Sequence, residues 1–148
     1  MNEKNSSGLN KCFLDLDDPF ELFGRWFDEA KKNEINDPNA LALGTASKDG
    51  IPSVRMVLLK GFDKAGFVFY TNLNSQKGNQ IKDNPNATMC FHWKSLLRQI
   101  RIVGVLSQVS DDTADKYYNN YLQPHHPLAL KFLKFLFALI SFSNENTL

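Results

Sequence analysis

RMVLLKGFDKAGFVFYTNLNSQKG, residues 55 to 78, decides the fold. Two runs rich in β-branched, leucine and aromatic residues flank GFDKAG (Gly61 to Gly66), a connection too short for a parallel crossover. The runs are therefore read as an antiparallel hairpin. Three cations stand at its margins: Arg55 and Lys60 bracket the first strand, and Lys77 follows the second. Tyr70 and Thr71 end the second strand between them. Such cations have two readings, solvated charges on a barrel rim or a clamp for an anion such as a phosphate ester. On spacing alone the rim reading has the advantage, because charged side chains are usually exposed.

Working outward, ALALGTAS, IPSVRMVLLK, GFVFYTN, ATMCFHWK and LRQIRIVGVLSQV read as five strands separated by turn chemistry, with SKDG (Ser47 to Gly50) as a second hairpin connection. Five strands at this spacing predict a mainly β domain, an antiparallel meander or Greek-key barrel. Before them, DDPFELFGRWFDEAKKN predicts a helix. Asp18 is its N-cap, Pro19 takes its first position, Glu21 completes a capping box, and Phe20, Phe23, Trp26, Phe27 and Ala30 form its apolar face. SQKGNQIKDNP predicts a brief helix from near Ser75 that stops before Pro85. Its free N–H groups and Lys77 in the first turn favour an anion there, since a cation at a helix N-terminus is otherwise unfavourable.

The composition sets the limits. A chain of 148 residues with 43% hydrophobic and 22% charged content can bury one sizeable core. Its 17 basic and 16 acidic residues nearly cancel, so no global field favours nucleic acid and an anion must be held locally. Cys12 and Cys90 are far apart and show no metal-ligand spacing, which argues against zinc or a disulfide framework and fits a reducing cytoplasm. Residues 1–17 read as a flexible polar leader without a signal-peptide core.

In LRQIRIVGV, alternation sets Gln99 and Arg101 with Val103 and Val105, opposite Ile100 and Ile102, and leaves open which face is the core. The Gln99 amide suits the edge of a heterocycle and equally suits solvent. His92 is a lone histidine and is read as structural. No phosphate-binding Gly-rich loop, G-x-S-x-G or H-E-x-x-H occurs, so hydrolytic chemistry has no apparatus and no catalytic residue is assigned.

Taken in order and spacing, DPFELFGRWFDEA, the 55–78 stretch, NPNATMCFHW and RQIRIVGVLSQVS resemble the pyridoxamine 5'-phosphate oxidase family, from about Asp18 to Tyr118. The resemblance implies an FMN-binding split β-barrel that works as a homodimer with FMN at the subunit interface. It implies that Arg55, Met56, Val57, Leu58, Leu59 and Lys60 line the FMN, with Arg55 near its phosphate. Tyr70 and Thr71 continue the flavin site, Lys77 holds the phosphate, and Gln99 faces the ring system. Lys60 and Tyr117 are implied contacts for the substrate phosphate. Gln76 occupies a cofactor-site position where the family commonly has arginine, so one cation of the clamp is missing and weaker phosphate binding is expected. The implied activity is oxidation of pyridoxamine or pyridoxine 5'-phosphate to pyridoxal 5'-phosphate, with O2 giving H2O2.

After Tyr118 the family's further substrate and FMN residues find no match. The domain reading is accordingly a leader to residue 17, a split barrel over 18–122 and an atypical apolar tail over 123–148, read as the product of a changed reading frame near Asn119. In the tail, LALKFLKFLFALISF is interrupted by Lys131 and Lys134 and is short for a membrane span; an interfacial amphipathic helix is the lesser alternative. Two other function classes stay beside the oxidase: a flavin- or phosphate-binding barrel without turnover, and an inactive fragment.

Overall fold

The computed structural model describes residues 18–109 and 131–143. The first element, α1 (Pro19–Asn33), is capped by Asp18, whose side chain accepts from the Phe20 N–H at 2.9 Å, with proline opening the first turn. Strands β1 (Ala40–Ala46), β2 (Pro52–Asp63) and β3 (Gly66–Thr71) form a meander. Helix α2 (Gln76–Asp83) follows, N-capped by Ser75, and then β4 (Asn86–Trp93), a short 3₁₀ turn (Lys94–Leu96) and β5 (Arg98–Gln108). Strand β6 (Lys131–Ser143) completes a closed antiparallel barrel in the order β1-β2-β3-β6-β5-β4. The connection through α2 returns β4 to the free side of β1, which is the Greek-key arrangement.

The sixth strand lies in the segment that sequence reading set apart as a tail. Its backbone pairs with β3 on one side, where Phe135 stands opposite Phe67, and with β5 on the other, where Ile140 stands opposite Ile102. The helical alternative for this stretch does not hold. A nearly continuous apolar run carries no period that separates helix from strand, and here two open strand edges decide the matter by offering unpaired backbone groups on both sides. The leader and Tyr117 lie outside the described residues.

Alternation along each strand fills the barrel. Leu41 and Leu43 of β1, Val57 and Leu59 of β2, Phe67 and Phe69 of β3, Met89, Phe91 and Trp93 of β4, and Ile100 and Ile102 of β5 are buried together. This settles which face of β5 is the core: the Ile100 and Ile102 side. Helix α1 plugs one end of the barrel with Phe23, whose ring meets Phe62 at 4.8 Å, Phe67 at 4.9 Å and Phe91 at 5.2 Å. Burial of each such aromatic contributes roughly 1.5–3 kcal/mol before the cost of ordering it. Helix α2 lies against β1 near the opposite stretch of the interior, contributing Ile81 and Gln80.

A bulge in β2 shapes the hairpin. The register passes from Leu59 opposite Phe69 to Gly61 opposite Val68, which leaves Lys60 as the extra residue. The added residue lets Leu59 pack in the core and Phe62 lie against it, while Lys60 is exposed between them.

Candidate functional site

The inward positions of β2 change character along the strand. Val57 and Leu59 are core, but in the same phase Ser53 and Arg55 precede them, and on β1 Thr45 continues the series Leu41, Leu43. These three polar side chains meet under α2. Arg55 Nη1 donates to Thr45 Oγ1 at 2.6 Å and, more weakly, to the carbonyl oxygens of Leu43 and Ser53, each at 3.4 Å. Its Nη2 donates to Gln80 Oε1 at 3.2 Å. Thr45 Oγ1 donates to the same Gln80 oxygen at 2.7 Å, and Gln80 Nε2 donates to Ser53 Oγ at 3.1 Å.

Beside this cluster the N-terminal turn of α2 supplies Lys77. Its Nζ reaches Ser75 Oγ at 3.4 Å, and that oxygen caps the helix by accepting from the Gly78 N–H at 3.3 Å. Glycine is required at 78, because a Cβ there would collide with the Leu73 carbonyl oxygen. Removal from water lowers the pKa of Lys77 below the ordinary lysine value, and the neighbouring Arg55 charge lowers it further. Partial burial also lowers the pKa of Arg55. Among the described residues the ion pairs are Lys31 with Asp28, Lys64 with Asp18 and Arg98 with Glu29, so neither Arg55 nor Lys77 has a carboxylate partner. Two neighbouring, partly desolvated cations with no counter-ion among the described residues, next to a helix N-terminus with no acidic residue in its first turn, form a candidate anion site.

Thr71 ends β3 just before this helix. It is 3% exposed, and its hydroxyl has no hydrogen-bond partner among the described residues. A buried hydroxyl without a partner costs free energy unless a ligand supplies one, so the donor set of Arg55, Lys77, Thr71 and the α2 N–H groups fits a phosphate ester.

The remaining residues singled out from the sequence divide between the two faces of the barrel wall. Val57 and Leu59 point into the core, and the backbone of Leu59 is engaged by Asn39, whose carbonyl accepts from the Leu59 N–H at 2.8 Å and whose Nδ2 donates to the Leu59 carbonyl at 3.1 Å. Met56 and Leu58 point outward and are 65% and 40% exposed. They share an apolar outer face with Ala42 of β1, which stands opposite both Met56 and Cys90, and with Val103 and Val105 of β5. A shallow cavity of about 620 Å³ lies on this face, lined by Gly44, Ala46, Val54, Thr88 and Val103 among others. Gln99 begins β5 half-buried, opposite His92, away from the cation cluster. Lys60 stands 5.9 Å from the Tyr70 ring centroid and lines a cleft of about 510 Å³ with Phe27, Lys31 and Phe62. Gln76 is exposed at the start of α2.

Sequence reading missed Thr45, Ser53 and Gln80. A signal for the first two was present, since each is a polar residue in phase with core positions of its strand. Gln80 had none, because an isolated glutamine in a short polar helix reads as solvent-facing.

A closed antiparallel Greek-key barrel with a cation cluster at one helix N-terminus defines a split-barrel protein. The same architecture occurs in PhzG from Burkholderia lata, with a TM-score of 0.72 at 20% identity over 85% of this chain and 79% of that one. It also occurs in a pyridoxamine 5'-phosphate oxidase-related, FMN-binding protein from Nostoc punctiforme, with a TM-score of 0.60 at 18% identity over 80% of both chains. At these identities the likeness shows the fold. A sequence model of the family described as pyridoxamine 5'-phosphate oxidase matches residues 27–143, and so takes in β6. A pyridoxine/pyridoxamine 5'-phosphate oxidase of Pelagibacter ubique is 67% identical over 120 residues, which are 81% of this chain and 58% of that protein. The chain belongs to the pyridoxamine 5'-phosphate oxidase family. It spans about half the length of the curated relatives it matches.

Proposed function

We propose that the chain binds FMN by its phosphate at the Arg55–Lys77 cluster and, as a homodimer, oxidises pyridoxamine or pyridoxine 5'-phosphate. The observation that carries this reading is the pair of uncompensated cations beside the α2 N-terminus and the partnerless Thr71 hydroxyl. When bound, FMN would supply the hydride acceptor and the centre that O2 reoxidises with release of H2O2. The protein's part is binding and orientation. Arg55 and Lys77 neutralise the phosphate, Thr71 and the α2 N–H groups donate hydrogen bonds to it, and the outer face with Met56 and Leu58 offers an apolar bed for a ring system. Gln99 is assigned to the ring edge, and Lys60, set out by its bulge, to the phosphate of the substrate together with Tyr117.

The same outer face supports the homodimer. Val54, Met56, Leu58, Val103 and Val105 are all at least 40% exposed, around small residues of β1. A second copy would cover them and any flavin laid against them. No helix among the described residues is long and apolar enough to cross a membrane. A cytoplasmic location rests on the cysteine usage.

A second reading, flavin binding without turnover, is supported by the distribution of the cations: Arg55 and Lys77 are close enough for one charge to act on the other, whereas Lys60 stands apart at its own cleft. Purification of the full chain decides between them. A yellow protein that releases FMN on denaturation and generates peroxide from pyridoxamine 5'-phosphate is expected. Bound FMN without peroxide establishes the second reading, and failure to quench FMN fluorescence at any protein concentration overturns both. Sedimentation in the presence of FMN checks the dimer; a monomer overturns it.

A further inference from the structure

Gln80 is the most connected side chain near the cations, and neither the family resemblance nor the charge pattern gives it a part. It is 8% exposed, and both ends of its amide are used. The oxygen accepts from Arg55 Nη2 at 3.2 Å and Thr45 Oγ1 at 2.7 Å, while the nitrogen donates to Ser53 Oγ at 3.1 Å. One side chain thus ties α2 to β1 and β2. The helix it ties down also carries Lys77, the capping Ser75 and the free N–H groups of the anion site. Anchoring at Gln80 therefore fixes the separation between the Arg55 fork and the other donors.

We propose that Gln80 is a positioning residue for the anion site, holding the Arg55 guanidinium in a phosphate-binding orientation with an acceptor that carries no charge. The inference rests on the reading that a flavin phosphate sits at Arg55. The neutrality of the acceptor is the central point. A half-buried arginine needs acceptors for its N–H groups, and a carboxylate is the strongest one available. A carboxylate at this position would cancel the charge that recruits the phosphate and repel the phosphate itself. The carbonyl of an amide, backed by Thr45 and Ser53, satisfies Nη2 and leaves the positive charge uncompensated. Leu43 and Ser53 contribute backbone carbonyls of the same neutral kind.

The test compares FMN with riboflavin, which has the same ring system and no phosphate, by fluorescence titration of the full chain. Wild-type protein is expected to bind FMN more tightly. Gln80→Leu removes the acceptor and should weaken FMN about tenfold, the loss of one charge-assisted hydrogen bond, with riboflavin little changed. Gln80→Glu keeps the shape, so it decides the matter if the leucine variant does not fold, and it should erase more of the preference for FMN than leucine does. In an Arg55→Ala background neither substitution should reduce the preference further, because the two residues act as one unit. A purely structural Gln80 would lower both affinities together, and that result overturns the proposal. A wild-type preference for FMN that survives Gln80→Glu also overturns it, while leaving the FMN reading in place. Absence of any preference in the wild-type chain overturns both.

Discussion

Arg55 and Arg98 are both arginines partly withdrawn from water at the barrel wall, and they have been given opposite surroundings. Arg98 donates to Glu29 Oε2 at 2.8 Å and lies 4.6 Å from the Trp26 ring centroid, so its charge is met inside the chain by a carboxylate and an aromatic face. Those contacts fasten α1 to the start of β5. Among the described residues Arg55 has only neutral acceptors, Thr45, Gln80 and two carbonyls, and its charge acts on the like charge of Lys77. An arginine balanced within the fold serves the fold. One that is hydrogen-bonded yet unbalanced keeps its charge for an external partner. The difference is visible only in the acceptors, since both residues lie on strands rich in apolar residues.

Substitution should separate the two. The largest effect is expected for Arg55→Ala, which should weaken FMN binding by about 1.5–3 kcal/mol because a charge-assisted contact to the phosphate is lost. Fluorescence titration against FMN and riboflavin checks this, and equal losses for both ligands would return Arg55 to a structural role. Arg98→Ala should cost about 1–2 kcal/mol in urea unfolding, through loss of the Trp26 stack and of a pair whose Glu29 end is 46% exposed. Its preference for FMN over riboflavin should stay at the wild-type value.

Lys77→Met sharpens the contrast from the other side, with an expected loss of about 1 kcal/mol in FMN binding. Without ligand the substitution should leave stability unchanged or raise it, since the lysine is desolvated and repelled by Arg55. The sign follows from proton binding. The folded-state pKa is below the ordinary 10.5, so the unfolded chain holds more protons in the interval below that value. Stability of the ligand-free protein should therefore rise with pH across that interval, and urea titrations of the methionine variant should lack that rise. The smallest effect is expected for Gln76→Arg. A cation restored at this exposed position should tighten FMN by a few tenths to about 1 kcal/mol, and titration at low and high salt should show the gain screened.

Much of the fold was legible because its elements announce themselves locally. The Asp18-Pro19 start of α1, the Ser75 cap of α2 and the two hairpin connections all rest on residues within a few positions of one another. Strand β6 was not legible in the same way. Its apolar run lacks the alternation that marks β2 or β5, and only the open edges of β3 and β5 make it a strand. At the site, Arg55, Lys60 and Lys77 stood out in the sequence as cations with two readings, an anion clamp or an exposed rim; spacing alone favoured the rim, and the family resemblance assigned Arg55 and Lys77 to an FMN phosphate. The lowered pKa values of Arg55 and Lys77, with no carboxylate partner for either among the described residues, support the proposed anion site over an exposed rim.

The sequence by itself determined the antiparallel barrel class, the helix caps, the membership in an oxidase family and the identity of the cations. These depend on short-range periodicity and on motifs whose residues are close in the chain. Tertiary structure alone decided that Thr45, Ser53, Arg55 and Gln80 form one network, for Gln80 is 35 residues from Thr45 and 27 from Ser53. It also decided that Lys60 is the bulged residue and that the outer side of β5, with Arg101, Val103 and Val105, is the exposed one. The physical reason is the same in each case. A hydrogen bond between elements exists only after strand register and helix docking have brought its partners within about 3 Å, and no local pattern in the chain encodes that distance.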